Sequence, residues 1–254
     1  MRASLLAALW VEAHKFAASR VVRSTTGLLL GGVGLLAASL ELAAQSGNEQ
    51  VLAQLGDLAA QAGWVRFVGI ATQITAAASL LAFGVVSAWS VGREFSDGTV
   101  GGLFALPVSR QVVVVAKLIV FTGWAATVAA ALVVVVTAVG IGLDLGVPES
   151  EGVESLGRLF ALAGLSWPLA VPAAWAATVG RGLLPGIATS IVIIAITQVA
   201  VVAGSGAWFP FAAPALWAID PGAVAPTQLI LIAVVPILFG ALAVHSWATL
   251  QLDR

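Results

Sequence analysis

Residues able to do covalent or metal chemistry are scarce in this chain, and their spacing excludes most of what they could do. There are no cysteines, and His14 and His245 are the only histidines. That removes disulfides, thiolate metal sites and cysteine nucleophiles, and it leaves too few nitrogen ligands for a protein-built zinc or haem site. No H-E-x-x-H pattern occurs, and neither Lys15 nor Lys117 stands in a G-x-x-x-x-G-K-[ST] phosphate loop, so the chain does not hold ATP by that device. Ser166, after Gly164-Leu165, and His245 could echo an intramembrane serine protease. Depth rejects the pair. Ser166 falls roughly 10 Å below the outer end of its apolar run and His245 roughly 24 Å below the outer end of its own, at 1.5 Å per residue, whereas catalysis needs about 3 Å between them. No catalytic residue and no metal ligand is assigned.

Coupling to ions or protons needs ionisable groups inside the membrane, and the interiors of the apolar runs hold none. Glu41 and Lys117 fall near the ends of runs, where snorkelling accounts for them. The mid-run polar residues are neutral: Thr72, Gln73, Thr75, Ser79, Thr127, Ser166, Ser190, Thr197 and Gln198. Such groups line a path or hold helices together by hydrogen bonds. Driving energy is therefore expected from outside the chain.

The most informative stretch is Arg93 to Lys117, REFSDGTVGGLFALPVSRQVVVVAK. Ser96-Asp97-Gly98 reads as a turn whose Ser or Asp caps a following helix. Thr99 to Leu106 then makes about two turns, ended by Pro107. Leu103, Phe104 and Leu106 are its apolar knobs, and Gly98, Gly101 and Gly102 permit close approach. Ser109 caps the next long helix, with Arg110 at the headgroups. The segment reads either as a loop helix lying on the membrane or as a knob that docks into a partner.

The elements that position these residues follow from composition. The chain has 254 residues, 60% hydrophobic and only 9% charged, against about 25% charged in soluble domains. The apolar residues gather in blocks near the roughly 20 needed to cross a bilayer. The sequence therefore predicts an all-α integral membrane protein with six spans, at residues 26–44, 67–92, 112–140, 159–179, 183–204 and 229–250 of a single transmembrane unit. Residues 1–25 read as an amphipathic helix. Glu12, Lys15, Ser19 and Arg23 share one face by their spacing of three and four. The helix is expected either to rest in the interface with its basic residues toward water and headgroups or to be an ordinary flanking helix obeying the positive-inside rule, on the cytoplasmic side in both cases. The opening Met1-Arg2-Ala3-Ser4-Leu5-Leu6 lacks a convincing cleavage site and is read as part of the mature protein rather than as a signal peptide. Gly180-Arg181-Gly182 is short enough only for a hairpin. Ser205 to Gln228 is apolar but interrupted by Pro210, Pro214, Pro221 and Pro226. It is expected as a re-entrant or interfacial segment, or a greasy loop, rather than a span. With the amino terminus inside, Arg2, Lys15, Arg20, Arg23, Arg93, Arg110, Lys117, Arg181 and Arg254 lie inside and only Arg66 and Arg158 outside, nine basic residues against two. The positive-inside rule thus places both termini in the cytoplasm. The net charge of −1 gives no attraction to nucleic acid.

Glu94-x-x-x-Gly98-Thr99, then Leu103, then Pro107-Val108-Ser109-Arg110, then Lys117 resembles the signature of type-2 ABC transporter permeases, in style the small drug- and bacteriocin-efflux permeases of the bacitracin-resistance type. The resemblance implies that the amino-terminal helix is an elbow helix and that residues 98–106 are a coupling helix seated on a separate nucleotide-binding ATPase subunit. Coupling would then involve Arg93, Glu94, Asp97, Gly98, Thr99, Leu103, Phe104, Leu106, Pro107 and Arg110. It also implies a second permease copy, a path flanked by the second and fifth spans with Gln73, Thr197 and Gln198 on it, no cofactor in this chain, and ATP and Mg on the partner subunit. The location would be a prokaryotic-type inner membrane. The function it implies is export of an amphipathic drug, peptide antibiotic or lipid. The alternatives are a permease for an ion or a metalloenzyme maturation factor, a non-transporting scaffold, or an intramembrane enzyme.

Overall fold

The computed structural model describes residues 2–105 and 107–251. Its regular secondary structure is all helical among those residues. Six helices or helix pairs are long and apolar enough to cross a membrane. Helix α1 (Arg2–Ala18) stops at Ser19, which takes an extended backbone and accepts from the Val22 amide to start α2 (Arg20–Gln45), the first span. Such a serine satisfies one of the orphan amides of a helix start. Asn48 caps the surface helix α3 (Glu49–Leu55) in the same way. The second span, α4 (Gly63–Ser96), has 34 residues and so is about 51 Å long, well beyond the ~30 Å of a hydrocarbon core. The one-turn α5 (Val100–Leu103) leads to α6 (Arg110–Gly142), the third span, which Ser109 caps through the Val112 amide.

The fourth span is not one continuous helix. Its α7 (Ser150–Ser166) and α8 (Val171–Val179) are joined by a 3₁₀ turn at Pro168–Ala170. Pro168 and Pro172 cannot donate to the preceding turn, which is the usual cause of such a break. It also begins nine residues before the expected 159, at Ser150, so part of the expected acidic loop is helix. After a hairpin at 180–182 comes α9 (Leu183–Val202). The proline-interrupted segment contains 3₁₀ turns at Gly206–Trp208 and Pro221–Ala223 around the short α10 (Ala213–Ile219). α10 packs on α7 and α4. The last span starts at Pro226, with α11 (Pro226–Ile230) and α12 (Val234–Ala248) linked by a further 3₁₀ turn.

Spans two and five meet through a small-residue seam. Gly84, Ala88 and Gly92 of α4 face Ser190, Gly186 and Gly182. A Cβ built on Gly186 would stand 2.5 Å from Ala88 Cβ and 2.6 Å from the Ala173 carbonyl oxygen, and one on Gly92 would lie 2.9 Å from the Gly182 backbone. Absent side chains let helix backbones approach where the surrounding lipid offers no hydrophobic drive. On the face of the bundle away from α1, Arg66 of α4 grips Glu41 of α2 with two hydrogen bonds, Nε to Oε2 at 3.0 Å and Nη2 to Oε1 at 2.6 Å. Glu41 is 0% exposed. It is a buried, paired carboxylate, not the snorkelling group expected from its place near a span end.

Candidate functional site

Four charged side chains from three helices converge beside α5. Lys117, seven residues into α6, places its Nζ 2.8 Å from Glu12 Oε2 and 2.8 Å from Glu94 Oε1. Lys15 adds contacts of 3.0 Å to Glu12 Oε1 and 3.1 Å to Glu94 Oε1. Thr99, just before α5, donates its hydroxyl to the remaining oxygen, Glu94 Oε2, at 2.5 Å. The cluster therefore joins α1, α4, α6 and the α5 turn, with two charges of each sign. Lys117 is 1% exposed. It cannot be snorkelling; burial of its ammonium is tolerated because two carboxylates receive it. Burial opposes the charge of Lys15, and Glu12 and Glu94 outweigh that effect, so its pKa is raised above the ordinary lysine value of 10.5. The contribution of Lys15 is fully present below that value and is lost only as pH rises through the higher folded one.

The polar face of this segment is thus divided. Lys15 is partly exposed and Arg23, on α2 beyond the break at Ser19, is exposed as expected of basic residues, but the rest of the face turns inward. Glu12 and Ser19 are buried against the bundle, while Leu6 and Trp10 point outward. Phe16 adds an edge-on contact with Trp89, ring centroids 5.5 Å apart. A membrane-flanking helix can expose its apolar side to lipid and pair its charges inward, and the amphipathic pattern does not distinguish the two.

α5 is one turn rather than two. Asp97 and Gly98 end α4, with Gly98 at φ +68°, and neither Ser96 nor Asp97 caps α5. Gly101 and Gly102, each about 1 kcal/mol less favourable than alanine in a helix, sit inside that single turn. Leu103 is only 9% exposed and packs among Val91, Val113, Val114, Ala174 and Trp247. It anchors the turn inward and cannot be a docking knob. Phe104, 40% exposed, faces out. Arg110 stacks over its ring at 4.5 Å, donates to the Ala248 carbonyl at 3.1 Å and also to that of Leu250. Arg110 therefore ties α5 to the end of α12 instead of standing free at the headgroups. Arg93 stacks on Trp89 at 4.9 Å and lies 3.7 Å from Asp97. Pro107 is exposed; Leu106 lies outside the described residues.

Beyond the small-residue seam, toward the other face, α4 and α9 leave a cavity of about 250 Å³. Gln73, Thr197 and Gln198 all line it, with Leu80, Ile194 and Phe211 among its apolar walls and α10 closing one side. The structure brings together the three residues expected on a path. Of the other mid-span hydroxyls, those of Thr72, Thr127, Ser166 and Ser190 donate to carbonyls four residues back in their own helix rather than across helices, and those of Thr75 and Ser79 are buried without a hydrogen-bond partner among the described residues.

Sequence reasoning missed Glu12, Lys15 and Lys117 as partners of Glu94. One signal was present: a lone lysine inside Val112–Val120, where an unpaired charge is costly. The Gly84-x-x-x-Ala88-x-x-x-Gly92 spacing was likewise a readable close-packing signal. A family model described as ABC-2 family transporter protein matches residues 8–198. No curated protein and no solved structure matches the chain.

Proposed function

The chain belongs to the ABC-2 transporter family, and from that premise we propose that it is the permease of an exporter, moving an amphipathic compound outward with ATP and Mg held on a separate subunit. Family membership makes it a multi-pass membrane transport subunit that works with an ATP-binding partner. Both termini face the cytoplasm in this reading, as the basic residues favour, and two permease copies flank one path. The partner docks on the exposed rim of Asp97, Gly98, Gly101, Gly102 and Phe104.

The observation that carries the reading is the position of Glu94. Its carboxylate holds Thr99 beside the rim and, through Lys117 and Lys15, holds α6 and α1. A push on α5 is therefore delivered to three helices at once. α4 then acts as a lever: the rim is at one end, the small-residue seam with α9 is its fulcrum, and Gln73 faces the cavity toward the other end. The cavity walls are apolar with two carboxamides and a hydroxyl, which suits an uncharged, hydrogen-bonding part of an amphipathic molecule.

Co-purification with the ATP-binding subunit tests this. Phe104→Asp should abolish capture and transport-stimulated ATPase while leaving the helical content and thermal midpoint of the permease unchanged. Leu103→Asp should instead lower that midpoint, because it buries a charge. Retention of full capture and stimulation by Phe104→Asp would remove the rim as the docking site.

A further inference from the structure

A second cavity, of about 440 Å³, lies at the corner where α1 turns into α2, against the end of α4. Lys15, Arg20, Arg93 and Asp97 are its charged lining residues, with Ser19 and the Trp89 ring. Lys15 is occupied by Glu12 and Glu94, and Arg93 has Asp97 only at 3.7 Å. Arg20 makes no hydrogen bond or ion pair among the described residues. The first turn of α2, a 26-residue helix, also opens here, adding the positive end of its dipole. The balance favours an anion.

The same face of α2 continues from the cavity along the span. Ser24, Gly27 and Gly31 follow Arg20 at helical spacings of four, seven and eleven, and all are exposed. Nothing lies within 4 Å of a Cβ built on Gly27 or Gly31. They leave a shallow strip beside the protruding Leu28 and Leu35. A soluble anion has no use for such a strip, whereas an acyl chain fits along it. Arg20 opens the first span and Arg93 closes the second, which sets the cavity at the level of lipid headgroups.

We propose that this corner binds an anionic glycerophospholipid, its phosphate taken by Arg20 and Arg93 and an acyl chain laid over Gly27 and Gly31. The inference rests on the chain's placement in a membrane and not on the transport reading. The bound lipid bridges α1, α2 and the end of α4, and so adds α2 to the α1 and α4 that the neighbouring charge cluster already joins.

The full-length protein is purified, delipidated and titrated with phosphatidylglycerol or phosphatidylcholine in nanodiscs, and bound lipid is counted by native mass spectrometry. Wild type should prefer phosphatidylglycerol. Arg20→Gln and Arg93→Gln should each weaken it about 5-fold, and together about 30-fold, from about 1 kcal/mol per basic residue at an anionic surface. Arg158→Gln, on the opposite face, should leave it unchanged. Gly27→Leu with Gly31→Leu should weaken both lipids alike, because it obstructs the chain and not the phosphate. Undiminished preference in the double arginine variant would overturn the proposal. So would full competition by millimolar inorganic phosphate, which would show that the site takes free anions. Loss of ATP-binding-subunit capture with lipid binding intact would assign the corner to the protein partner instead.

Discussion

Replacing Lys117 by methionine keeps an unbranched, flexible stem and removes one charge from the centre of the cluster. Glu12 and Glu94 then share only Lys15, so two positive charges against two negative become one against two. Each 2.8 Å contact of Lys117 carries an attraction of about 6 kcal/mol at an effective dielectric of 20. Desolvation of the buried ammonium cancels much of this, and removing one partner of a buried pair nets a loss of about 3–5 kcal/mol. The decisive assay is a double-mutant cycle with Glu94→Gln, read by reversible denaturant unfolding in mixed micelles. Lys117→Met alone should cost about 3–5 kcal/mol, and the two changes together should cost less than their sum by 0.5–3 kcal/mol, roughly the range for residues in contact. Transport-coupled ATPase should fall with the single change even where folding is rescued by low temperature, because α6 is released from Glu94 and α1 stays tied to it only through Lys15. A cost below about 1 kcal/mol with strict additivity, the behaviour of an exposed pair, would mean that Lys117 reaches the headgroups. The lever reading of α4 would then lose its connection.

Two further changes test the remaining framework. Gly186→Val should destabilise by about 1–3 kcal/mol, since its Cβ meets Ala88 and the Ala173 carbonyl, whereas Gly31→Ala, in open space inside a helix, should be neutral or stabilising by up to about 1 kcal/mol; unfolding midpoints compare them. Arg66→Met should cost about 3–5 kcal/mol by stranding the buried Glu41. Arg66→Lys should recover only part of it, because an ammonium cannot reproduce the two-toothed guanidinium contact.

Six spans were legible because bilayer thickness fixes the length of an apolar helix, and composition alone reports that length. Their ends were less legible. Span two runs to Ser96 and span four begins at Ser150 because a helix continues past the hydrocarbon wherever protein or water satisfies its surface, and hydropathy marks the lipid rather than the hydrogen bonds. Ser109 as a cap was readable, since capping is a property of a few neighbouring residues. Gln73, Thr197 and Gln198 stood out as polar residues in apolar runs, but only the crossing of α4 and α9 put them in one cavity.

The sequence by itself determined an all-helical membrane protein and pointed to the stretch from Arg93 to Lys117 as its distinctive segment. Tertiary structure decided how that segment is used. The i, i+3 spacing of Glu12 and Lys15 establishes a common face but not its direction. Lys117 meets Glu12 across 105 positions and Glu94 across 23, and no local pattern encodes such pairs. Leu103 and Phe104 are adjacent and both apolar, yet one is packed against Trp247 and the other exposed. Hydrophobicity says that a residue avoids water. It does not say whether protein or lipid receives it, and in a membrane protein that choice belongs to packing.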